Sequence, residues 1–341
     1  MRVAVYYNNR DVRLEERATP QIGPDELLLK VRASGICGSD VMEWYRIKKA
    51  PLVLGHEVTG EIVAVGANVK RFAVGQRVFV SHHVPCNACR YCLRGQHTVC
   101  ETLHSTNFDP GGFSEYIRVP ALNVDRGVFV LPDEMSFEEG AFIEPLGCTI
   151  RGQRLAEAKP GDTVLVIGSG MAGILHIAYS RSLAAGKIIA TDIGEYRLKA
   201  ATHFGADVVV DGSGDVPSMV RQANFGRLAD LVIVCTGASS AFLQALNSVD
   251  RGGTILFFAT TPAGYALPVP IADIWRNGIK LMPSYGAGPL DLMIAIDILR
   301  SGRIPVKEMI SHRLSLEETA LGFQLVAEAR DSMKVIIQPH N

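Results

Sequence analysis

Gly168, Gly170 and Gly173 stand in the spacing Gly-x-Gly-x-x-Gly directly behind the apolar run Val164-Leu-Val-Ile, and a helix-length segment opens at Met171. That combination leaves few folds open. The first glycine permits a tight turn, the second lets backbone approach a pyrophosphate, and the third lets helix and strand pack closely. The loop Gly168-Ser169-Gly170-Met171-Ala172-Gly173 is therefore expected to cradle a dinucleotide, with phosphate oxygens on the amino end of the helix. Asp192 ends the next strand, where a carboxylate accepts the ribose hydroxyls of NAD and repels the 2'-phosphate of NADP; an aspartate there also serves as a helix cap. Arg197 is placed either to lie flat on the adenine or to project into solvent.

The surrounding pattern agrees with that turn. From Thr163 onward, strands predicted at 164–167, 187–191, 206–210, 231–234 and 254–259 alternate with helices from Met171, from Glu195, near Pro217 and from Ser240. Such alternation builds a parallel sheet covered on both faces, a doubly wound α/β domain. The change of texture falls at Lys159-Pro-Gly-Asp. Ahead of it the chain reads as short strands at 2–7, 26–33, 58–65, 77–81 and 113–119, separated by Gly-Pro, Gly-Ala-Asn and Pro-Gly-Gly turns, as in an irregular β-barrel. Beyond Tyr285 a helix at 290–300 is expected, then one more helix and a closing strand at 334–338.

A length of 341 residues suits two domains, and 34 Lys and Arg against 35 Asp and Glu leave no concentrated positive charge. Nucleic acid and anionic membrane are accordingly not expected as partners. The apolar stretch after Arg2 is too short for a secretory core and the other apolar runs are strand-length, so a soluble, cytoplasmic protein is expected. Of the seven cysteines, four crowd between Cys86 and Cys100, a clustering that reads as metal binding rather than as a disulfide framework.

Those four, Cys86, Cys89, Cys92 and Cys100, are spaced to close a tetrahedral zinc site from one loop with no open position. An iron-sulfur cluster and a nucleic-acid zinc ribbon are the competing readings. A closed site of this kind is structural, its metal contributing folding free energy on the order of 10 kcal/mol. A second candidate site lies in Ser34-Gly-Ile-Cys-Gly-Ser-Asp and Val53-Leu-Gly-His-Glu-Val-Thr-Gly, where Cys37 and His56 are donors that zinc takes and Glu57 adds an oxygen. Cys37 as a small buried hydrophobe and His56 as a core imidazole are the alternative.

With both features present, the sequence closely resembles the zinc-containing, medium-chain alcohol dehydrogenase family, over essentially its whole length. Gly55-His56-Glu57-x2-Gly60-x5-Gly66-x2-Val69 matches the family's zinc signature, and Gly35-Ile-Cys-Gly-Ser-Asp40 with Ile143-Glu144-Pro-Leu146 look most like the polyol (sorbitol-type) and threonine dehydrogenase branch. The resemblance implies a GroES-like barrel formed by 1–150 and 288–341, carrying a structural zinc lobe at 86–100, and a Rossmann NAD-binding domain at 151–287. It implies two zincs per chain. Cys37, His56 and Glu144 would hold the catalytic one, with Glu57 an exchangeable ligand or hydrogen-bonding neighbour, and the four cysteines the structural one. Ser39 would pass the substrate proton outward, and Thr236, Gly237, Ala259 and Ser284 would line the nicotinamide pocket. The implied activity is oxidation of a secondary alcohol, a polyol, sugar or hydroxy-amino acid, by hydride transfer to NAD. A homo-oligomer is also implied, with the strand from Thr254 as an edge that could pair across a two-fold axis.

The match has gaps. Many polyol-branch relatives have His-Tyr after the Ser-Asp pair, where this chain has Met42 and Glu43, and Ser284-Tyr285-Gly286 stands where sorbitol-type enzymes present an arginine. His104, Asn107 and Phe108 fall in the loop lining the substrate mouth, as specificity or packing residues; His82 and His83 read as packing or rim residues, and Cys148 and Cys235 as buried thiols. Competing functions are an NAD-binding pseudo-enzyme or regulatory module, and a zinc-free quinone or enoyl reductase of the same superfamily.

Overall fold

The computed structural model describes residues 1–341, which form two compact units: Met1–Gly147 with Ala287–Asn341, and Cys148–Gly286.

In the second unit six parallel strands run in the order Val208–Asp211, Lys187–Asp192, Thr163–Ile167, Ala229–Val234, Val249–Phe257, Lys280–Pro283. Every crossover returns through a helix or loop, and the order reverses between Thr163–Ile167 and Ala229–Val234. That is the dinucleotide-binding strand order, in which ligands bind at the carboxyl ends of the strands beside the reversal. Burial on both faces explains the unbroken apolar runs: Leu165, Val232 and Ile255 have no exposed surface and form one core with Ile167, Ile189 and Val234. Each such side chain stabilises the unit by roughly 1.5–3 kcal/mol relative to leaving it in water.

The expected strand edge needs correction. Val249–Phe257 is paired on both sides, and Lys280–Pro283 is the edge. The sequence hid this strand because it is four residues long and ends in proline, which only an edge strand tolerates.

The first unit is built on a mixed sheet ordered Ile310–Ser315, Lys334–Gln338, Leu27–Gly35, Glu57–Val65, Arg77–Ser81, Val128–Val130, with Tyr116–Val119 also pairing to Leu27–Gly35. Alternating burial along Leu27–Gly35 turns Leu27, Leu29 and Val31 into a core with Val58, Ile62, Val78 and Ile117. Arg2–Asn8 is the central strand of a smaller three-stranded sheet. Among the elements that were not predicted are a helix and an edge strand. The helix Ile143–Leu155 contains Pro145, which reads as a breaker but falls in the first turn, where the missing N–H costs no hydrogen bond. The strand Ile310–Ser315 is partly exposed and lacks a clean apolar alternation.

Register on this sheet assembles the candidate metal site. Gly35 pairs with Glu57 on one side and with Ile336 on the other. Cys37, two residues beyond Gly35, and His56, one before Glu57, therefore emerge at the same end of the ladder, and Lys334 lies two residues from Ile336 at that end. A side chain at Gly35 has no room: its Cβ would sit 1.9 Å from Glu57 Oε2 and 2.9 Å from Lys334 Cε.

Candidate metal and dinucleotide sites

The ligand atoms of Cys37, His56 and Glu57 lie within 4.8 Å of one another, a thiol, an imidazole and a carboxylate on three sides of one point. The donor set suits zinc, whose bonds of about 2.0–2.3 Å hold ligand atoms some 3.3–3.8 Å apart. His56 is oriented for it. Its Nδ1 faces Asp40 Oδ1 at 3.3 Å, which leaves Nε2 for a metal. Asp40 is fully buried, and its Oδ2 also accepts from the Cys37 N–H at 3.0 Å. Burial alone would raise the Asp40 carboxyl, but His56, Arg46 and the Cys37 N–H outweigh it and hold the acid below its ordinary value. Burial would lower the His56 imidazole, yet Asp40 and Cys37 override that and hold it well above its ordinary value. The cluster thus favours positive charge at its centre, as a divalent cation supplies.

Glu57 has no exposed surface. Its Oε2 accepts from the ammonium of Lys334, which also lies 3.4 Å from the Ile36 carbonyl, while Oε1 is buried with no hydrogen-bond partner. An orphaned carboxylate oxygen beside a thiol and an imidazole is what a metal or a metal-bound water would satisfy. Glu144 lies in the first turn of Ile143–Leu155, largely buried, and is not one of the three converging side chains. Ser39 N–H donates to Cys37 Sγ at 3.4 Å, and its hydroxyl accepts from Arg46 Nη2 at 3.2 Å.

His82 and His83 flank this site. Their rings are 3.8 Å apart, and His82 is 4.8 Å from His56. Burial, then the neighbouring His83, His56 and Arg46, push His82 well down. Burial followed by His56, His104, Arg46 and Lys49 pushes His83 to about 3. Both are neutral at physiological pH. Phe108 is buried and edge-on to His82, so it packs here as well.

The four cysteines form the second cluster, every Sγ within 4.8 Å of the others. Cys86 and Cys92 sulfurs are 3.9 Å apart, matching a tetrahedron edge of about 3.8 Å for zinc-sulfur bonds of about 2.3 Å. N–H groups of Ala88 and Cys89 point at Cys86 Sγ and that of Cys86 at Cys100 Sγ, at 3.1–3.4 Å, the environment thiolates require. Burial opposes ionisation of Cys100, but N–H groups of Cys86 and Leu103 bring it down to about 6, whereas burial pushes Cys92 up to about 12. Cys148 and Cys235 are half-buried rather than buried as expected, and desolvation shifts the Cys235 thiol upward, as suits an inert thiol.

In the second unit the glycine turn is demanded by geometry. Gly168 has φ +93°, and a Cβ on Gly173 would fall 1.9 Å from the Gly168 carbonyl oxygen. The helix Met171–Ser182 starts at Gly170 with no side-chain cap, leaving its first N–H groups for an anion. Asp192 Oδ2 accepts from the Ser169 N–H at 2.8 Å and Oδ1 from the Gly194 N–H at 2.9 Å, tying the acid to the turn. The Arg197 guanidinium passes 3.8–3.9 Å from where a Gly170 Cβ would be, and 3.8 Å from Asp192. Thr236, Gly237, Ala259 and Ser284 all follow carboxyl ends of the parallel strands; Thr236 packs against Gly168, and the buried Ser284 hydroxyl has no partner. These residues fit a dinucleotide.

Residues 23–132 match the alcohol dehydrogenase GroES-like domain and residues 172–301 the zinc-binding dehydrogenase domain. The sorbitol dehydrogenase of Bacillus subtilis is 32% identical, covering 100% of this chain and 98% of its own. The chain belongs to the zinc-dependent medium-chain alcohol dehydrogenase family, in its polyol branch. A probable D-xylulose reductase of Aspergillus clavatus is 32% identical over 96% of this chain and 93% of its own. Among solved structures, an alcohol dehydrogenase from Thermus sp. ATN1 superposes with a TM-score of 0.88 at 28% identity, over 100% of both chains.

Three participants escaped the sequence reading: Asp40, Arg46 and Lys334. Lys334 carried a signal, a lone lysine heading the apolar strand Lys334–Gln338. No helix is long and apolar enough to cross a membrane.

Proposed function

We propose that this protein oxidises a secondary alcohol of a polyol, sugar or hydroxy-amino acid to the ketone, with zinc and NAD. The observation that carries this is the convergence of Cys37, His56 and Glu57 at one point in a chain of this family that also keeps the complete glycine turn with Asp192. Keeping both donor sets runs against a zinc-free reductase. In this reading residues 1–150 and 288–341 form the catalytic domain and 151–287 the NAD-binding domain. Cys37, His56 and Glu144 hold the catalytic metal, Glu57 stands beside it or exchanges onto it, and Cys86, Cys89, Cys92 and Cys100 hold the structural one.

Zinc supplies a Lewis acid that lowers the pKa of a substrate hydroxyl, and NAD accepts the hydride. The chain does the rest. Asp40 fixes the His56 ring. The Ser39 hydroxyl has one donor and two acceptor positions, and Arg46 occupies only one acceptor, so Ser39 can take the substrate proton and hand its own outward. The Gly168 to Gly173 turn and the start of Met171–Ser182 receive the pyrophosphate. Asp192 has lone pairs left after its two backbone bonds, which receive the ribose hydroxyls.

The chain is further proposed to self-associate in the cytoplasm. Supporting the first is the unpaired side of edge strand Lys280–Pro283, preceded by a helix that exposes Ile271 and Trp275. Supporting the second is that none of the seven cysteines forms a disulfide.

The test is metal analysis with an NAD-linked screen over sugars, inositols, small diols and threonine. About two zincs per chain and turnover of one compound class are expected; metal-replete protein that turns over none of them would overturn the reading.

A further inference from the structure

Positive charge collects beside the metal cluster in the first unit, where the buried Asp40, 3.6 Å from Arg46, is the one carboxylate that Arg46 pairs with. Arg46 is the centre of this charge. Its Nε donates to the Ser39 carbonyl at 2.9 Å and its Nη2 to the Ser39 hydroxyl at 3.2 Å, and its side chain is only 15% exposed. These bonds fix the guanidinium next to the residue that handles the substrate proton, yet leave both N–H groups of Nη1 without a protein acceptor. The nearest carboxylate, Asp40 at 3.6 Å, is already engaged by His56 and by the Cys37 N–H.

A second cation shares the place. The Arg46 guanidinium and the Lys49 ammonium sit 4.9 and 5.3 Å from the centroid of the same Tyr45 ring. Neither Lys48 nor Lys49 forms an ion pair, and the other acid of the segment, Glu43, is exposed and accepts from the Asn9 N–H at 3.1 Å. Glu57 is no counterion either, being paired with Lys334. An arginine with a purely structural task spends its donors on the protein; this one presents the free edge of a planar fork, the shape that binds carboxylate or phosphate bidentately.

We propose that Arg46, supported by Lys49, is an anion subsite, and that the substrate is an anionic polyol whose carboxylate or phosphate lies close along the chain to the carbinol that is oxidised. The inference rests on the dehydrogenase reading above and narrows its substrate class. Closeness follows from the two hydrogen bonds that tie the guanidinium to the Ser39 carbonyl and hydroxyl.

The experiment compares three substrates of one chain length on the zinc-loaded enzyme: a neutral polyol, its aldonate and its phosphate monoester. The expected result is a kcat/KM at least roughly 10-fold higher for one or both anions, declining with added salt. Which anion wins separates the two sources of charge. Arg46→Gln is expected to lower kcat/KM for the anions roughly 10- to 100-fold more than for the neutral polyol, with Arg46→Lys between. Should Arg46→Gln not fold, Lys49→Gln at an exposed position is expected to cost a few-fold on the anions alone. Preference for the neutral polyol, or equal losses on all three substrates, overturns the proposal. Calorimetric titration of the aldonate and of inorganic phosphate into the NADH-loaded protein gives a readout apart from turnover. If no alcohol is oxidised, the dehydrogenase reading falls, and binding that Arg46→Gln abolishes still upholds the subsite, whereas no binding to the unaltered protein removes it.

Discussion

Lys334 donates its ammonium to the Glu57 carboxylate across 277 residues of sequence, in an ion pair whose side chains are each 1% exposed. The bond ties the final strand of the chain to the metal cluster and fixes one Glu57 oxygen, leaving the other without a hydrogen-bond partner. Removing one partner of such a pair strands a charge in a dry interior, which costs far more than the pair contributes. Lys334→Met is therefore expected to destabilise the zinc-loaded protein by about 3–5 kcal/mol in urea unfolding. Adding Glu57→Gln should restore most of that loss. Equal instability of single and double variants would show that packing around Phe142, over which Lys334 Nζ lies at 5.7 Å, is what matters.

The four-cysteine lobe has almost no core of its own: Leu103 is the one large apolar side chain buried with the sulfurs. Its order is expected to depend on metal. Cys89→Ser should lower zinc content from about two to about one per chain. Trypsin should then cut at Arg90 or Arg94, positions on the lobe's short helix and its end, while the NADH-binding unit stays resistant. Full zinc content in this variant would count against the closed four-thiolate site.

The glycine turn, its following acid and the four-cysteine spacing were legible in the sequence because each satisfies a local constraint: a positive φ, a close approach, four donors in one loop. The parallel, doubly wound sheet of the second unit followed from alternation alone. What was not legible is set by register. Nothing local links Lys334 to Glu57 or Asp40 to His56; the pairings Gly35 with Glu57 and Gly35 with Ile336 do. The edge strand was misassigned for a related reason, since Val249–Phe257 reads the same whether or not a short proline-ended neighbour covers it. Arg46 drew no reading from the sequence, and only its bonds to Ser39 set it apart.

His176 gives the second unit a pH dependence of known sign. The ring is fully buried, meets Phe258 edge-on at 4.4 Å, and its Nδ1 lies 3.1 Å from Gln153 Nε2, a contact that favours the neutral form with Nδ1 as acceptor. Burial pushes its pKa from 6.5 down to about 3. Between those values the unfolded chain binds a proton that the folded chain refuses, so stability is present above pH 6.5 and falls as pH drops toward 3, by about 1.4 kcal/mol per unit. His176→Asn should flatten the urea-unfolding stability between pH 6 and 4 by about that slope. An unchanged slope would place the acid sensitivity elsewhere.

Asp192 is expected to decide between the two nicotinamide cofactors through charge rather than shape. Its side chain is 6% exposed, its carboxylate held by the N–H groups of Ser169 and Gly194, and it faces Arg197 at 3.8 Å without a direct hydrogen bond. A 2'-phosphate brought to this acid meets like charge, while ribose hydroxyls meet open lone pairs. Asp192→Ser keeps a small polar group for the backbone but removes the charge and leaves the Arg197 guanidinium free for a phosphate. NADH affinity should drop roughly 10- to 100-fold, and NADPH affinity should rise until the two are comparable. Fluorescence titration of both reduced cofactors measures this without an alcohol. If NADPH still fails to bind while NADH weakens, Asp192 acts mainly as the brace of the glycine turn, and the discrimination lies in the backbone that the turn presents.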